Sequence, residues 1–239
     1  MKLLMRSGRT LVYNIDELSN IRRMWVKMAN VPAARRGWLL SDCKDVDPLT
    51  LRRARDWVIG VSNGDMIRAS GSKACGRGLL LQGEPGHGKT TLALAIVQEM
   101  LTTFKLEPFK VESGHVLLRP AYFATFNDIL ELKGKSIDNS MTEDDELLFK
   151  GMLGECDNDA YNIRVLIIDD LGKEHKSLSG WQANMFHHVL RTRFNHGLPT
   201  IVTTNIKLDN WAAVYGDATE SFAREAFYYL PVITSDLRK

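Results

Sequence analysis

The stretch from residue 83 to residue 91 constrains the fold of this chain more than any other. It reads Gly83-Glu84-Pro85-Gly86-His87-Gly88-Lys89-Thr90-Thr91 and fits the pattern Gly-x4-Gly-Lys-Thr. Glycines at these positions let backbone N–H groups approach a phosphate chain, while Lys89 can reach the β- and γ-phosphate oxygens. The Thr90 hydroxyl is a ligand that Mg²⁺ takes beside phosphates. The pattern predicts a site for a nucleoside triphosphate with Mg²⁺.

The residues on either side of this loop supply the required context. Gly78 to Gln82 is a short apolar run that predicts a buried strand, and a helical stripe follows the loop at Leu92, Ile96, Met100 and Phe104. A strand, a loop and a helix in this order turn the helix N-terminus toward a bound anion.

A second motif is the run Val165-Leu166-Ile167-Ile168-Asp169-Asp170. Its branched apolar residues predict a central parallel strand, and ligands gather at the carboxyl ends of such strands. Asp169 is the expected partner of Mg²⁺, through water, and Asp170 is placed to orient or deprotonate an attacking water. A structural cap of the turn at Leu171-Gly172 remains the alternative for Asp170, and Glu174 is a substitute base.

A third motif, residues 199 to 205, predicts another buried strand that ends at Asn205. If this strand lies beside the one ending in Asp169, Asn205 emerges next to the γ-phosphate and can bind the phosphate or the attacking water. An ordinary turn cap explains Asn205 equally well. The run Asn205-Ile206-Lys207-Leu208-Asp209 has one residue too many for a guanine-specifying Asn-Lys-x-Asp, which favours adenine and therefore ATP.

The remaining segments predict alternating strands and helices. A strand is expected at Ala121–Ala124, and helices at Leu51–Val61, Thr125–Leu132, Glu143–Leu153 and Ser179–Asn195. Thr125 can cap the second of these helices, and Thr142 with Asp145 the third. Short apolar strands alternating with helices predict a parallel sheet covered on both faces.

The N-terminal residues 1–40 carry eight Lys or Arg residues against two acidic residues, a net charge of +6, whereas the whole chain has a net charge of only +2. An amphipathic helix is expected there, capped by Asn14 with Glu17, with an apolar stripe of Leu18, Ile21, Trp25 and Met28. The stripe either packs on the body or, with Arg22, Arg23 and Lys27 interleaved, docks a partner. Residues 31–37 predict a linker, which divides the chain into a helical arm of residues 1–45 and a main domain of residues 46–239.

Apolar runs are too short to span a membrane, which predicts a cytoplasmic protein. The three cysteines, Cys43, Cys75 and Cys156, lack metal-binding spacing, and we expect them to be reduced structural thiols.

From about Val31 onward these motifs together resemble the AAA+ ATPases of the DnaC/DnaI helicase-loader and IstB transposition-helper group. The likeness includes Val-Pro-x-x-x-Arg at the start, Gly-Leu-Leu-Leu-x-Gly before the phosphate loop, Ile-Ile-Asp-Asp-Leu-Gly-Lys-Glu at 167–174 and Leu-Pro-Thr-Ile-Val-Thr-Thr-Asn at 198–205. The resemblance implies a three-layer α/β sandwich with a five-stranded parallel sheet of order 5-1-4-3-2. It also implies subunits assembled side by side with ATP at their interfaces.

By this resemblance Asn205 is the residue that senses the γ-phosphate, and Arg224 is an arginine finger that acts on the next subunit's nucleotide. The usual Arg-Leu or Arg-Met is replaced here by Arg224-Glu225, and a surface salt bridge to Glu220 is the alternative role. Because the chain ends soon after residue 236, we expect no C-terminal lid domain.

Loaders of this group hold single-stranded DNA. The matching basic residues are Lys133, Lys135, Lys173 and Lys176, with Trp181 placed to stack on a base. Burial of Trp181 with Met185 and Val189 is the alternative, and Arg191 and Arg193 near the end of that helix complement its dipole.

The resulting expectation is a helicase loader, a slow ATPase stimulated by DNA or by a partner, that binds a replicative hexameric helicase through its N-terminal helix and forms homo-oligomers. A transposition helper that binds duplex DNA is the first alternative. A nucleotide-gated adaptor without turnover and a small-molecule phosphotransferase are the others.

Overall fold

The computed structural model describes residues 2–4, 10–12, 15–67, 73–103, 116–172 and 180–234. Its strands are β1 (Lys2–Leu4), β2 (Thr10–Val12), β3 (Gly78–Gln82), β4 (Ala121–Thr125), β5 (Val165–Leu171), β6 (Thr200–Thr204) and β7 (Phe227–Pro231). Its α-helices are α1 (Ile15–Met28), α2 (Pro48–Asn63), α3 (Lys89–Thr103), α4 (Phe126–Ile137), α5 (Glu143–Leu153), α6 (Trp181–Asn195), α7 (Trp211–Tyr215) and α8 (Asp217–Ala226).

Five parallel strands form the central sheet in the order β4-β5-β6-β3-β7. Counted within this sheet alone, the order is 2-3-4-1-5, which is the expected 5-1-4-3-2 viewed from the other edge. Strands β1 and β2 form a separate antiparallel pair. The parallel sheet predicted from the sequence motifs and the strand order implied by the resemblance are both confirmed.

Helices cover both faces of this sheet, as the apolar strands require. Leu79 and Leu81 of β3 pack with α1, α2 and α3 on one face, whereas Leu80 between them packs with α4 to α8 on the other. Alternate residues of a strand point to opposite faces, and this alternation generates the three layers.

Local capping explains where several helices begin. Thr125 accepts a hydrogen bond from Asp128 N, and Thr142 accepts one from Asp145 N, with each aspartate bonding back to its threonine. These reciprocal pairs satisfy backbone N–H groups that the first helical turn leaves without partners. Both caps confirm the sequence prediction, although α4 continues beyond the expected end at Leu132.

The apolar stripe of α1 packs on the body of the protein. Trp25 is 1% exposed and donates a hydrogen bond of 2.8 Å from Nε1 to Leu117 O, and Leu18 and Ile21 are partly buried in the same core. Of the two roles expected for this stripe, packing is therefore the one found in the structure. The proposed cap Asn14 lies outside the described residues, as do Phe104, Glu174 and Ser179.

Arg193 lies in the last turn of α6, where the sequence analysis expected it to complement the helix dipole, but it has a further role. Its side chain is completely buried and donates to the carbonyl oxygens of Met152, Ile163, Arg164 and Pro199 and to Thr200 Oγ1. Arg193 thus satisfies carbonyl groups at the start of β5 and β6. Arg191 remains exposed, with its guanidinium 4.4 Å from the ring centre of Phe222.

No helix in the described ranges is both long enough and apolar enough to cross a membrane.

Candidate functional site

The loop of residues 83–88 connects β3 to α3 and has a conformation that requires glycine. Gly86 and Gly88 have φ angles of 86° and 76°, in the left-handed region that other residues rarely adopt. A Cβ atom at Gly83 would clash with the carbonyl oxygen of Val232. The backbone conformation of the loop therefore requires glycine at these three positions.

Lys89, the first residue of α3, binds the backbone of this loop with its side chain and so braces the loop. Its side chain is buried, and Nζ donates hydrogen bonds of 2.8 Å to both Gly83 O and Glu84 O. The ammonium group therefore stands against the loop that its own motif predicts to hold phosphate. Glu84 and Pro85 are exposed, and His87 and Thr91 are half-buried.

Asp169, near the carboxyl end of β5, is held between two hydroxyl groups. Thr90 Oγ1 lies 2.9 Å from Asp169 Oδ1 and 3.1 Å from Oδ2, and Thr203 Oγ1 donates to Oδ1 at 2.6 Å. A carboxylate next to a threonine hydroxyl is an oxygen donor set suited to Mg²⁺. The residues predicted to hold the metal are thus in direct contact with each other.

Asp170 lies in an irregularity of the sheet. The pairing of β5 with β6 shifts between Ile168 and Leu171, and Asp170 has a φ of 58°. Its amide N–H donates to Thr203 Oγ1 at 3.0 Å. A bulge that re-aims one side chain is common beside active sites, and here Asp170 lines the cavity while Asp169 is buried.

Asn205 follows β6 and reaches the same end of the sheet. Its Oδ1 atom is buried and has no hydrogen-bond partner among the described residues. A buried polar atom without a partner costs free energy, and in native sites such an atom commonly has a functional explanation. Asn205 and Asp170 both line the cavity above the phosphate loop.

This cavity has a volume of about 450 Å³ and extends well beyond the phosphate loop. One end is formed by Gly86, Gly88, Lys89, Thr90, Asp170 and Asn205. The other end is formed by the segment between α1 and α2, through Arg35, Trp38, Asp42, Cys43, Asp45 and Val46.

The sequence analysis did not assign these residues of the α1–α2 segment to the site, because they lie 37 to 48 positions before Gly83 and match no nucleotide-binding pattern. Thr203 was also missed as a site residue, although a threonine inside a buried strand next to Asn205 was a usable signal. Burial, followed by the nearby Asp42 and Glu99 carboxylates, raises the pKa of the Cys43 thiol to about 11.

Arg224 is not among the residues that line the cavity. It lies on α8 with its side chain 53% exposed, and Nη2 is 2.6 Å from Glu220 Oε1 and 2.7 Å from Asp209 Oδ1. Hydrogen bonds, first to Glu220 and then to Asp209, raise the pKa of its guanidinium group further above its ordinary value. The expected Glu220 salt bridge is thus present, while a role toward another subunit remains a prediction.

Two of the basic residues expected near DNA, Lys133 and Lys135, lie on α4. Lys135 pairs with Asp145 at 2.9 Å, and Lys133 Nζ is 5.2 Å from the ring centre of Phe149. Lys173 and Lys176 lie outside the described residues. Trp181 is partly buried against the core beneath α6, which matches the burial alternative.

Comparisons with known proteins agree with this geometry. A family model described as IstB-like ATP binding protein matches residues 145–223, and a model of the TIP49 P-loop domain matches residues 52–118. No curated protein sequence matches the chain.

Several solved structures share the fold. A crystal structure of the DnaC helicase loader is 24% identical with a TM-score of 0.54, covering 84% of this chain and 100% of that one. A crystal structure of DnaI is 21% identical with a TM-score of 0.57, covering 87% of this chain and 95% of that one. AMPPCP-bound DnaA from Aquifex aeolicus is 15% identical with a TM-score of 0.52, covering 85% of this chain and 52% of that one.

These matches confirm the resemblance to the AAA+ loader and helper ATPases that the sequence motifs indicated. The likeness to solved structures shows the fold. The family-model match covers the segment with Asp169, Asp170 and Asn205, and it supports nucleotide binding at the site built from them.

Proposed function

We propose that this chain is an ATPase that binds ATP and Mg²⁺ in the 450 Å³ cavity and uses the nucleotide to assemble on DNA. The observation that carries the proposal is the contact of Thr90 with Asp169 beside the loop braced by Lys89. A hydroxyl, a carboxylate and a buried ammonium group meet there at the N-terminus of a helix, where a triphosphate is best stabilised.

Different residues of the chain bind the phosphates, hold Mg²⁺ and activate the attacking water. The N–H groups of the glycine loop and Lys89 bind the phosphates, and Thr90 and Asp169 would hold Mg²⁺. When bound, Mg²⁺ neutralises charge that develops on the phosphate oxygens. Asp170 accepts a proton from water as the water oxygen bonds to the γ-phosphorus, the bond to the β-phosphate oxygen breaks, and ADP and phosphate are released. Asn205 orients the water, which donates to its unpartnered Oδ1 atom, or donates from Nδ2 to the γ-phosphate.

The far end of the cavity binds the base. Trp38 offers an aromatic face, and Val46 and the neutral Cys43 thiol offer an apolar edge. Such a wall suits a flat heterocycle, and the missing guanine signature makes adenine the preferred base.

Assembly completes the site in this proposal. Arg224 reaches the nucleotide of the next subunit, leaving its partners Glu220 and Asp209, and stabilises transition-state charge there. The likeness to the DnaC helicase loader supports the choice of a helicase loader, and single-stranded DNA is its proposed ligand. Lys133, Lys135, Lys173 and Lys176 follow the DNA phosphates, and the N-terminal unit of residues 1–45 contacts the replicative helicase in the cytoplasm.

The experiment that tests this function compares ATP hydrolysis without DNA, with single-stranded DNA and with duplex DNA. The loader proposal predicts a slow basal rate that rises with single strands. Lys135→Ala, which also removes the pair with Asp145, should reduce this stimulation but not the basal rate. Lys150→Ala is the matched control, because it breaks a similar exposed pair with Glu146 on α5.

The transposition helper is the second candidate, because the matching family model is that of the IstB-like ATP binding proteins. It predicts stimulation by duplex DNA alone. A nucleotide-gated adaptor would bind ATP without turnover under every condition. Turnover that is present in the wild type and lost in Asp170→Asn, with ATP still bound, excludes the adaptor, because asparagine tolerates the left-handed backbone of residue 170.

A further inference from the structure

Gln98 is a buried amide on a helix face that is otherwise apolar. Its side chain on α3 is 1% exposed, and its neighbours Ile96, Val97 and Met100 belong to the core. Oε1 accepts a hydrogen bond of 2.7 Å from Gly37 N, and Nε2 lies 2.9 Å from Arg35 O and 3.1 Å from Trp38 O. One side chain therefore binds three backbone groups of a segment about sixty residues away.

The segment that Gln98 holds forms the wall at the far end of the cavity. Arg35 and Trp38 both line this wall, with the Arg35 guanidinium 5.4 Å from the centre of the Trp38 ring. A second contact from α3 supports the same segment, because Leu40 N donates to Glu99 Oε2 at 3.2 Å. The chain between the two contacts is irregular, and its backbone groups depend on side chains for partners.

A single rigid helix thus joins both ends of the cavity. α3 begins at Lys89, which braces the phosphate loop, and carries Gln98 nine residues later. A glutamine suits this task because its amide both donates and accepts. An apolar residue of the same length would satisfy none of the three groups, and glutamate could accept from Gly37 N but could not donate to the carbonyls.

We infer that Gln98 is a positioning residue for the base-binding end of the site. It fixes the backbone of residues 35–38 so that Trp38 is preorganised to contact the nucleotide base, without itself touching the nucleotide. The inference rests on the proposed function, since it assumes that the cavity binds ATP. A wall that is already ordered strengthens binding, because the entropic cost of ordering the loop does not reduce the binding free energy.

Two probes distinguish the contributions of the two ends of the cavity to binding. ATP contacts both ends, whereas inorganic tripolyphosphate contacts only the phosphate loop. Their dissociation constants are measured for wild type, Gln98→Met, Trp38→Ala and the double variant. Gln98→Met should weaken ATP about tenfold and leave tripolyphosphate unchanged. The double variant should lose no more than Trp38→Ala alone, because both changes remove the same contact. Thr102→Val is the matched control, since it removes a hydrogen bond to Gln98 O on the same helix.

The inference is overturned if Gln98→Met weakens both probes equally, if it weakens neither, or if the two substitutions add. A wild type that binds neither probe would instead overturn the proposed function, and the inference with it. If Gln98→Met does not fold, Gln98→Glu and the exchange of the Gly37 amide in the wild type provide the test. The bond to Gln98 predicts a protected Gly37 amide, and exchange as fast as that of an exposed loop amide contradicts the inference.

Discussion

The Thr203 hydroxyl donates to Asp169 Oδ1 at 2.6 Å. Thr203 Oγ1 also accepts a hydrogen bond from the amide of Asp170 at 3.0 Å, so one hydroxyl fixes the metal-binding carboxylate and the backbone of the proposed base. Thr203→Val keeps the shape of the side chain but removes both bonds. We expect turnover to fall about tenfold to a hundredfold with little change in ATP affinity.

Steady-state kinetics with a parallel ATP titration measures this effect. Thr203→Ser retains the hydroxyl and should keep most of the activity. Equal activity of the valine and serine variants would show that the hydroxyl does not position the acids.

Arg224 supplies a prediction about assembly. If its guanidinium acts on the nucleotide of a neighbouring subunit, neither Lys89→Ala nor Arg224→Ala should hydrolyse ATP alone. A mixture of the two should regain part of the activity, because an intact finger from one chain can meet an intact phosphate loop of the other. A mixture that stays as inactive as its components would limit Arg224 to the salt bridges with Glu220 and Asp209.

The buried thiol of Cys43 predicts a dependence of stability on pH. Its pKa is raised from 9.0 to about 11 in the folded protein, so the folded state keeps the proton after the unfolded chain has released it. The stabilisation is complete below about pH 9 and is lost as the pH rises to about 11. Urea unfolding across this range should show a steeper loss of stability for the wild type than for Cys43→Ala. Parallel pH profiles of the two proteins would contradict the prediction.

Arg193 predicts a large effect on stability far from the cavity. Arg193→Met removes the donor from the buried carbonyls of Ile163 and Arg164 and leaves Pro199 O only a bond of 3.4 Å from Leu166 N. This change should lower the free energy of unfolding by about 3 kcal/mol or more. Arg191→Ala, on the same helix, removes only a contact with the face of Phe222 and should cost less than about 1 kcal/mol. Similar denaturation midpoints for both variants would refute this view of Arg193.

Local signals accounted for much of the fold. The caps at Thr125 and Thr142 depend on residues three positions apart, and the strand with Asp169 is a continuous branched apolar run, so both could be predicted from neighbouring residues. The strand order instead came from the resemblance, because the pairing of β3 with β6 joins residues more than a hundred positions apart.

The parts that could not be predicted are contacts between distant segments. Arg193 looks in sequence like any arginine near a helix end, and only the positions of β5 and β6 make it a buried donor. Gln98 and Trp38 lie in different elements, and nothing in either stretch indicates that the two meet beside the cavity.

The direct test of the central claim is a titration of Mg²⁺-ATP into the wild type and into Lys89→Ala. Because Lys89 supplies the buried ammonium group of the phosphate loop, we predict saturable binding by the wild type and binding about tenfold to a hundredfold weaker by the variant. Lys150→Ala, which removes an exposed lysine on α5, should bind like the wild type. Absence of saturable binding by the wild type, or equal affinity in Lys89→Ala, would contradict the account.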